Sequence, residues 1–145
     1  MRIALGLAAA AEESNEVPVG AIIVLGDEII ARAFNEKERT GDPTAHAEML
    51  AIRRAAQRLG TWRLSDATMY VTLEPCAMCA GAMIQARLGR LVYGAYDPKA
   101  GAAGSVLDIL DLPWLNHQVK VKSGVLEAEC SQLLSSFFSQ MRRDG

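Results

Sequence analysis

The chain has 145 residues, half of them apolar, and its 15 Lys and Arg against 17 Asp and Glu give a formal net charge of −2. A chain of this length buries roughly two-thirds of its unfolded surface in one core, so a single domain over residues 1–145 is the expectation. Without a basic stripe it is not a protein that grips long duplexes by charge alone. No DNA partner is expected, and any contact with nucleic acid must be local.

Met1 to Ala11 is apolar and Ala-rich, but it lacks a multi-lysine start and runs straight into Glu12 and Glu13. That is the pattern of an amphipathic helix and not of a signal peptide. No stretch reaches the roughly 18 uninterrupted apolar residues of a membrane-spanning helix, so a soluble, cytoplasmic protein is expected.

The turn signal Asn15-Glu16-Val17-Pro18 precedes an apolar, β-branched run from Val19 to Leu25, which predicts a buried strand. Gly26-Asp27 is a hairpin signal, and Glu28 to Phe34 resumes with partial alternation as the antiparallel partner. Asn35 to Thr44 is polar and reads as a loop. Asp42-Pro43-Thr44 opens a helix that runs to about Leu59, with Gly60 as its stop. Ala67 to Leu73 alternates as a strand, and Pro75 introduces a helix from about Cys76 to Arg87. Arg90 to Tyr96 is a further strand. After it come a glycine-bearing loop from Asp97 to Ser105, a short helical piece near Val106 to Leu110 and a last strand near Gln118 to Ser123. In the final helix Leu126, Cys130, Leu133, Leu134, Phe137, Phe138 and Met141 share one face. The fold class predicted is α/β, a three-layer α/β/α sandwich around a central mixed five-stranded sheet.

An odd cysteine count without a secretion signal, with Cys76 and Cys79 spaced C-x-x-C, points to metal or redox chemistry and away from a disulfide framework. Thr44-Ala45-His46-Ala47-Glu48 and Glu74-Pro75-Cys76-Ala77-Met78-Cys79 together read H-x-E followed by P-C-x-x-C, a recognised signature of zinc deaminases of nucleobases. The chemistry is consistent with it. His46, Cys76 and Cys79 supply the three protein ligands of a catalytic zinc, leaving the fourth tetrahedral position open. Helix N-termini favour anionic thiolates. Cys76 and Cys79, three apart, share a side of their first turn. Glu48 is then the proton shuttle. Residues two apart on a regular helix diverge, so His46 and Glu48 can share a site only if the chain enters the helix near Ala45 or His46.

Other residues favour plainer readings. Cys130 sits in an apolar stripe and is expected in the core. His117, in a polar turn without a companion ligand, is expected to be a surface histidine. Core packing is the default for at least one of Phe137 and Phe138. Gly101-Ala102-Ala103-Gly104-Ser105 lacks the lysine of a phosphate loop, and Arg142 and Arg143 read as a solvated helix end.

The segments around the zinc motif carry a more specific signal. Glu16-Val17-Pro18-Val19-Gly20-Ala21, Asn35, Asp42-Pro43-Thr44-Ala45-His46-Ala47-Glu48, Val71-Thr72-Leu73-Glu74-Pro75-Cys76, Met78-Cys79-Ala80-Gly81-Ala82-Met83-Ile84 and the glycine loop closely resemble the bacterial tRNA-specific adenosine deaminases (TadA family), within the cytidine-deaminase-like zinc deaminases. The resemblance runs from about Ala4 to Phe138. It implies one zinc ion per subunit, a homodimer, and conversion of adenosine to inosine at the wobble position of a tRNA anticodon loop. It also implies that Asn35 hydrogen-bonds the flipped-out nucleotide, that the backbone of Ala47 contacts the base, and that Asp97 and Lys99 lie near the RNA. Relative to that family the first helix starts abruptly at Met1, and the tail Arg142-Arg143-Asp144-Gly145 is weakly basic. The alternative is a deaminase of a free nucleobase or nucleoside of the cytidine, guanine or adenine type. A third reading, a structural zinc module, lacks the second half of a four-cysteine site.

Overall fold

Gly26 and Asp27 turn the chain between strands β1 (Gly20–Leu25) and β2 (Glu28–Phe34), and the register Gly20 to Phe34 and Leu25 to Glu28 makes them antiparallel, with a bulge after Ile23. The computed structural model describes residues 1–144. Strand β3 (Ala67–Leu73) pairs antiparallel with the other edge of β1. Strands β4 (Arg90–Ala95) and β5 (Lys120–Lys122) then add parallel to β3 and to each other, in the order β2-β1-β3-β4-β5. The sheet is mixed and five-stranded, as expected.

Helices α1 (Arg2–Glu13) and α5 (Glu127–Asp144) pack together on one face, while α3 (Ala47–Leu59) and α4 (Ala77–Gln85) pack together on the other. The strand period of two sorts the side chains between these layers. Ala21, Ile23, Met69, Val71, Leu91 and Tyr93 join the core under α3 and α4. Small residues set the helix-to-sheet distance. α1 buries Ala4, Ala8 and Ala11, and it lies so close to β1 that a Cβ at Gly20 would stand 2.1 Å from the Ala4 carbonyl oxygen and 2.6 Å from the Ala8 nitrogen. Gly20→Ala must therefore push α1 outward. We expect a loss of about 1–3 kcal/mol in denaturant unfolding, and an unchanged midpoint would contradict this packing.

Some boundaries differ from expectation. The polar stretch after Phe34 contains a short helix, α2 (Lys37–Thr40), because the buried carboxylate of Glu16 accepts the N–H groups of Glu38 (2.9 Å) and Arg39 (2.7 Å). Asp42 does not cap α3; its carboxylate accepts the N–H of Thr44 at 2.8 Å in a local turn. α4 stops at Gln85, before Arg87, which has a φ of 56°. The helical piece near Val106 is a 3-10 turn at Ile109–Asp111, and Ala103 bridges Asp108 ahead of it. Gly60 ends α3 at a φ of 68°, as predicted. Cys130 and Phe137 are buried, but the apolar stripe of α5 is only partly covered, since Phe138 and Met141 are exposed. Among the described residues, no helix is long and apolar enough to cross a membrane.

Candidate metal centre and active site

His46 and Cys76 are both N-caps. His46 precedes α3 with φ −74° and ψ 148°, and Cys76 precedes α4 with φ −76° and ψ 177°. This extended backbone removes the objection to H-x-E: His46 leaves the chain before the helix begins, and Glu48 leaves it from within the first turn. His46 Nδ1 lies 3.7 Å from Cys76 Sγ and 3.6 Å from Cys79 Sγ, and all three atoms fall within 4.8 Å of one another. Around a tetrahedral zinc, with Zn–N about 2.0–2.1 Å and Zn–S about 2.3 Å, the nitrogen-to-sulfur distance works out to about 3.6 Å. The donor set and its spacing therefore fit that ion. The N-termini of two helices converge here and favour the anionic ligands.

The electrostatics reflect crowding. A hydrogen bond from Cys79 holds the Cys76 thiol at about 3 against the opposing effect of burial, and His46 adds to the lowering. Cys79 moves the other way, raised by that same bond, by burial and by the charge of Glu48. The two sulfurs push each other's ionisation in opposite directions, and a dication beside them removes the conflict. The hydrogen bond to Cys76 raises His46 against burial. Glu48 is 4% exposed, and burial raises its carboxyl from 4.5 to about 7. A carboxyl poised near neutrality both takes and gives protons at physiological pH.

A cavity of about 330 Å³ opens above this cluster, and His46, Glu48, Cys76, Asn35 and Asp97 all line it. Cys79 is buried behind Cys76. Asn35 Oδ1 accepts the N–H of Ala47 at 2.8 Å, in effect capping α3. Ala47 is fully buried, and its N–H is committed to this bond. Because an amide donor must meet an oxygen, the bond also fixes the Asn35 side chain with its NH2 group left for a pocket occupant. Lys99 stands outside the wall, exposed, with its backbone N–H on Asp97 Oδ1 at 3.0 Å. His117 is not a free surface side chain. It is half-buried, and its Nε2 lies 2.7 Å from the Leu88 carbonyl, a bond that fixes the ring well away from the ligands.

The sequence reading gave no role to three buried carboxylates, Glu16, Glu36 and Glu74. Glu16 caps α2, Glu36 pairs with Arg39 and Arg54, and Glu74 holds the loop after β4. The available signal was an acid beside proline at a strand end, as in Leu73-Glu74-Pro75. At the rim of the cavity Phe138 and Met141 of α5 reach the opening, while Phe137 is the one of the two phenylalanines that packs in the core.

This sheet order, with a His/Cys/Cys cluster and a buried carboxyl where helices begin beside strand ends, defines an enzyme of the nucleobase deaminase class. The sequence profile of the MafB19-like deaminase family matches residues 1–142. A tRNA-specific adenosine deaminase of Bacillus subtilis (strain 168) is 52% identical over 143 residues, covering 99% of this chain and 89% of that protein. A structure solved in studies of A-to-I editing by tRNA:A34 deaminases at the wobble position of transfer RNA superposes with a TM-score of 0.89 at 47% identity, over 92% of this chain and 97% of that one. A guanine deaminase from Bacillus subtilis superposes less well, with a TM-score of 0.65 at 33% identity over 97% of this chain and 90% of that one. The chain belongs to the MafB19-like deaminase family and, within it, to the tRNA-specific adenosine deaminases.

Proposed function

We propose that the chain hydrolyses the 6-amino group of adenosine at the wobble position of a tRNA anticodon, giving inosine and ammonia. The observation that carries the chemistry is a buried carboxyl raised to about 7 beside a three-donor metal triangle at the floor of an open cavity. In this reading His46, Cys76 and Cys79 hold one zinc ion, which when bound supplies a Lewis acid that makes water nucleophilic at neutral pH. Glu48 takes a proton as the water oxygen bonds to C6 and delivers it to N1. It then takes the remaining proton from the new C6 hydroxyl and passes it to the amino nitrogen as the C6–N bond breaks, leaving the C6 carbonyl of inosine and ammonia. Asn35 donates its NH2 to the base, and the Ala47 backbone acts through Asn35. Asp97 shapes the wall, and Lys99 meets the phosphate backbone outside it. An anticodon nucleotide is already unpaired, so extruding it costs little, which suits an enzyme with a net charge of −2. Phe138 and Met141 offer apolar surface to the neighbouring bases. The reading carries with it a homodimer and a cytoplasmic location, where such tRNA is met.

The guanine deaminase neighbour keeps one alternative open, a free base or nucleoside. An anticodon stem-loop with wobble adenosine, compared with free adenosine, guanine and cytidine, separates the two. Inosine is expected only in the stem-loop, and turnover of a monomer alone rejects the tRNA reading. Asn35→Asp refines the test, because it keeps an acceptor for the Ala47 N–H while removing the donors. We expect kcat/KM on the stem-loop to fall about 10- to 100-fold with little change in Tm. Unchanged kinetics would remove Asn35 from the binding site.

A further inference from the structure

Glu74 is 2% exposed, and among the described residues no cation pairs with it; its carboxylate is held by neutral donors, all from one loop. Oε1 accepts the N–H of Asp97 at 3.1 Å and the hydroxyl of Ser105. Oε2 accepts the N–H of Ala103 and of Ser105, both at 3.0 Å. The loop also closes against the next residue, since the N–H of Ala102 donates to the Pro75 carbonyl at 2.8 Å. Its closest approach is at Gly101, where an added Cβ would stand 2.4–2.5 Å from the Glu74 carboxyl atoms. The same loop supplies Asp97 and Ala100 to the cavity wall, and the Asp97 carboxylate in turn accepts the N–H of Lys99 and of Ala100. Cys76 follows Glu74 by two residues. One short segment therefore carries a metal ligand and the anchor of a loop that lines the same cavity.

We infer that Glu74 is a positioning residue, a carboxylate clamp that fixes the loop 97–105 at a set distance from the metal triangle and so shapes the cavity for the substrate nucleotide. The inference rests on the substrate reading above for its kinetic consequence, but the clamp itself is a property of the loop. A buried anion satisfied only by neutral donors, here three backbone N–H groups and one hydroxyl, is costly unless all its bonds are kept. It therefore makes the loop geometry close to all-or-none. Gly101 belongs to the same device, because any side chain there occupies the position of the carboxylate.

The test uses the full zinc-loaded chain carrying Glu74→Gln, which keeps the shape but sets an NH2 against a donor, and in parallel Gly101→Ala, which displaces the carboxylate from the other side. Hydrogen exchange at the amides of Asp97, Ala103 and Ser105 should speed up by about tenfold or more, the loss of roughly one hydrogen bond. Amides of β3 and β4 and the zinc content should not change. KM for the stem-loop should rise about tenfold with kcat within about threefold, a split that general destabilisation does not produce. Glu74→Ala combined with Gly101→Ala should cost no more than Glu74→Ala alone, because the methyl then fills vacated space. Wild-type exchange at the three amides in Glu74→Gln overturns the clamp. Faster exchange with unchanged KM overturns its role in binding, and additive losses in the double variant overturn the pairing with Gly101. If the wild type ignores the stem-loop, the substrate reading fails while the exchange data still decide the clamp.

Discussion

Glu48→Gln should lose about 10²- to 10⁴-fold in turnover while retaining one zinc per chain. The substitution is nearly isosteric, and glutamine is neutral, which is the form that burial already favours at this position. Folding is therefore not at stake. What disappears is the ability to accept a proton from water and return it to the ring and to ammonia. Asp97 also lines the cavity, but its Oδ1 accepts the N–H groups of Lys99 and Ala100, which ties that carboxylate to its own loop. Single-turnover rates on the stem-loop, paired with metal analysis of the same preparation, provide the check. Full activity with zinc present would remove Glu48 from the mechanism, and loss of zinc would mean that it acts on the ligands instead.

The sheet was readable because its strands are short apolar runs punctuated by turn residues, and because α3 ends at the predicted glycine. The ligand set was readable because residue type and spacing constrain metal chemistry tightly. The walls were not. α2 exists because Glu16, some twenty residues upstream, satisfies its N-terminal N–H groups, and no local pattern between Asn35 and Thr44 encodes that contact. Asn35 looked like a substrate contact, yet half of its side chain is a helix cap, a role visible only once β2 and α3 meet. The stripe on α5 has core-like periodicity, but neighbouring residues lie about 100° apart around the helix, so Phe137 faces inward and is buried while Phe138 stays exposed, and both line the cavity. Periodicity reports which face is apolar and is silent on what covers it.

Removing the metal should lower Tm by about 10 °C, and the change should be absent in Cys79→Ala. Binding to the native state alone stabilises it by about 4 kcal/mol at a thousandfold excess over Kd, and a chain of this size shifts by a few degrees for each of those. Cys79→Ala leaves two donors, too few to bind with that affinity, so its melting should not respond to a chelator. The stripped protein also tests the origin of the Glu48 shift. A carboxyl raised from 4.5 to about 7 binds more protons folded than unfolded, so its contribution is fully present below pH 4.5 and is lost as pH rises through 7. Cys76, held at about 3 from 9, works in the opposite sense: its contribution is present above 9 and lost as pH falls through 3. The two overlap between pH 4.5 and 7, so the raw stability profile hides both. The comparison of stripped wild type with stripped Glu48→Gln reports the glutamate together with its charge coupling to His46. Between pH 4.5 and 7 the variant should gain on the wild type by roughly 3 kcal/mol in denaturant unfolding. Parallel profiles would mean that Glu48 ionises freely in the fold, leaving it a poor acid for the departing ammonia.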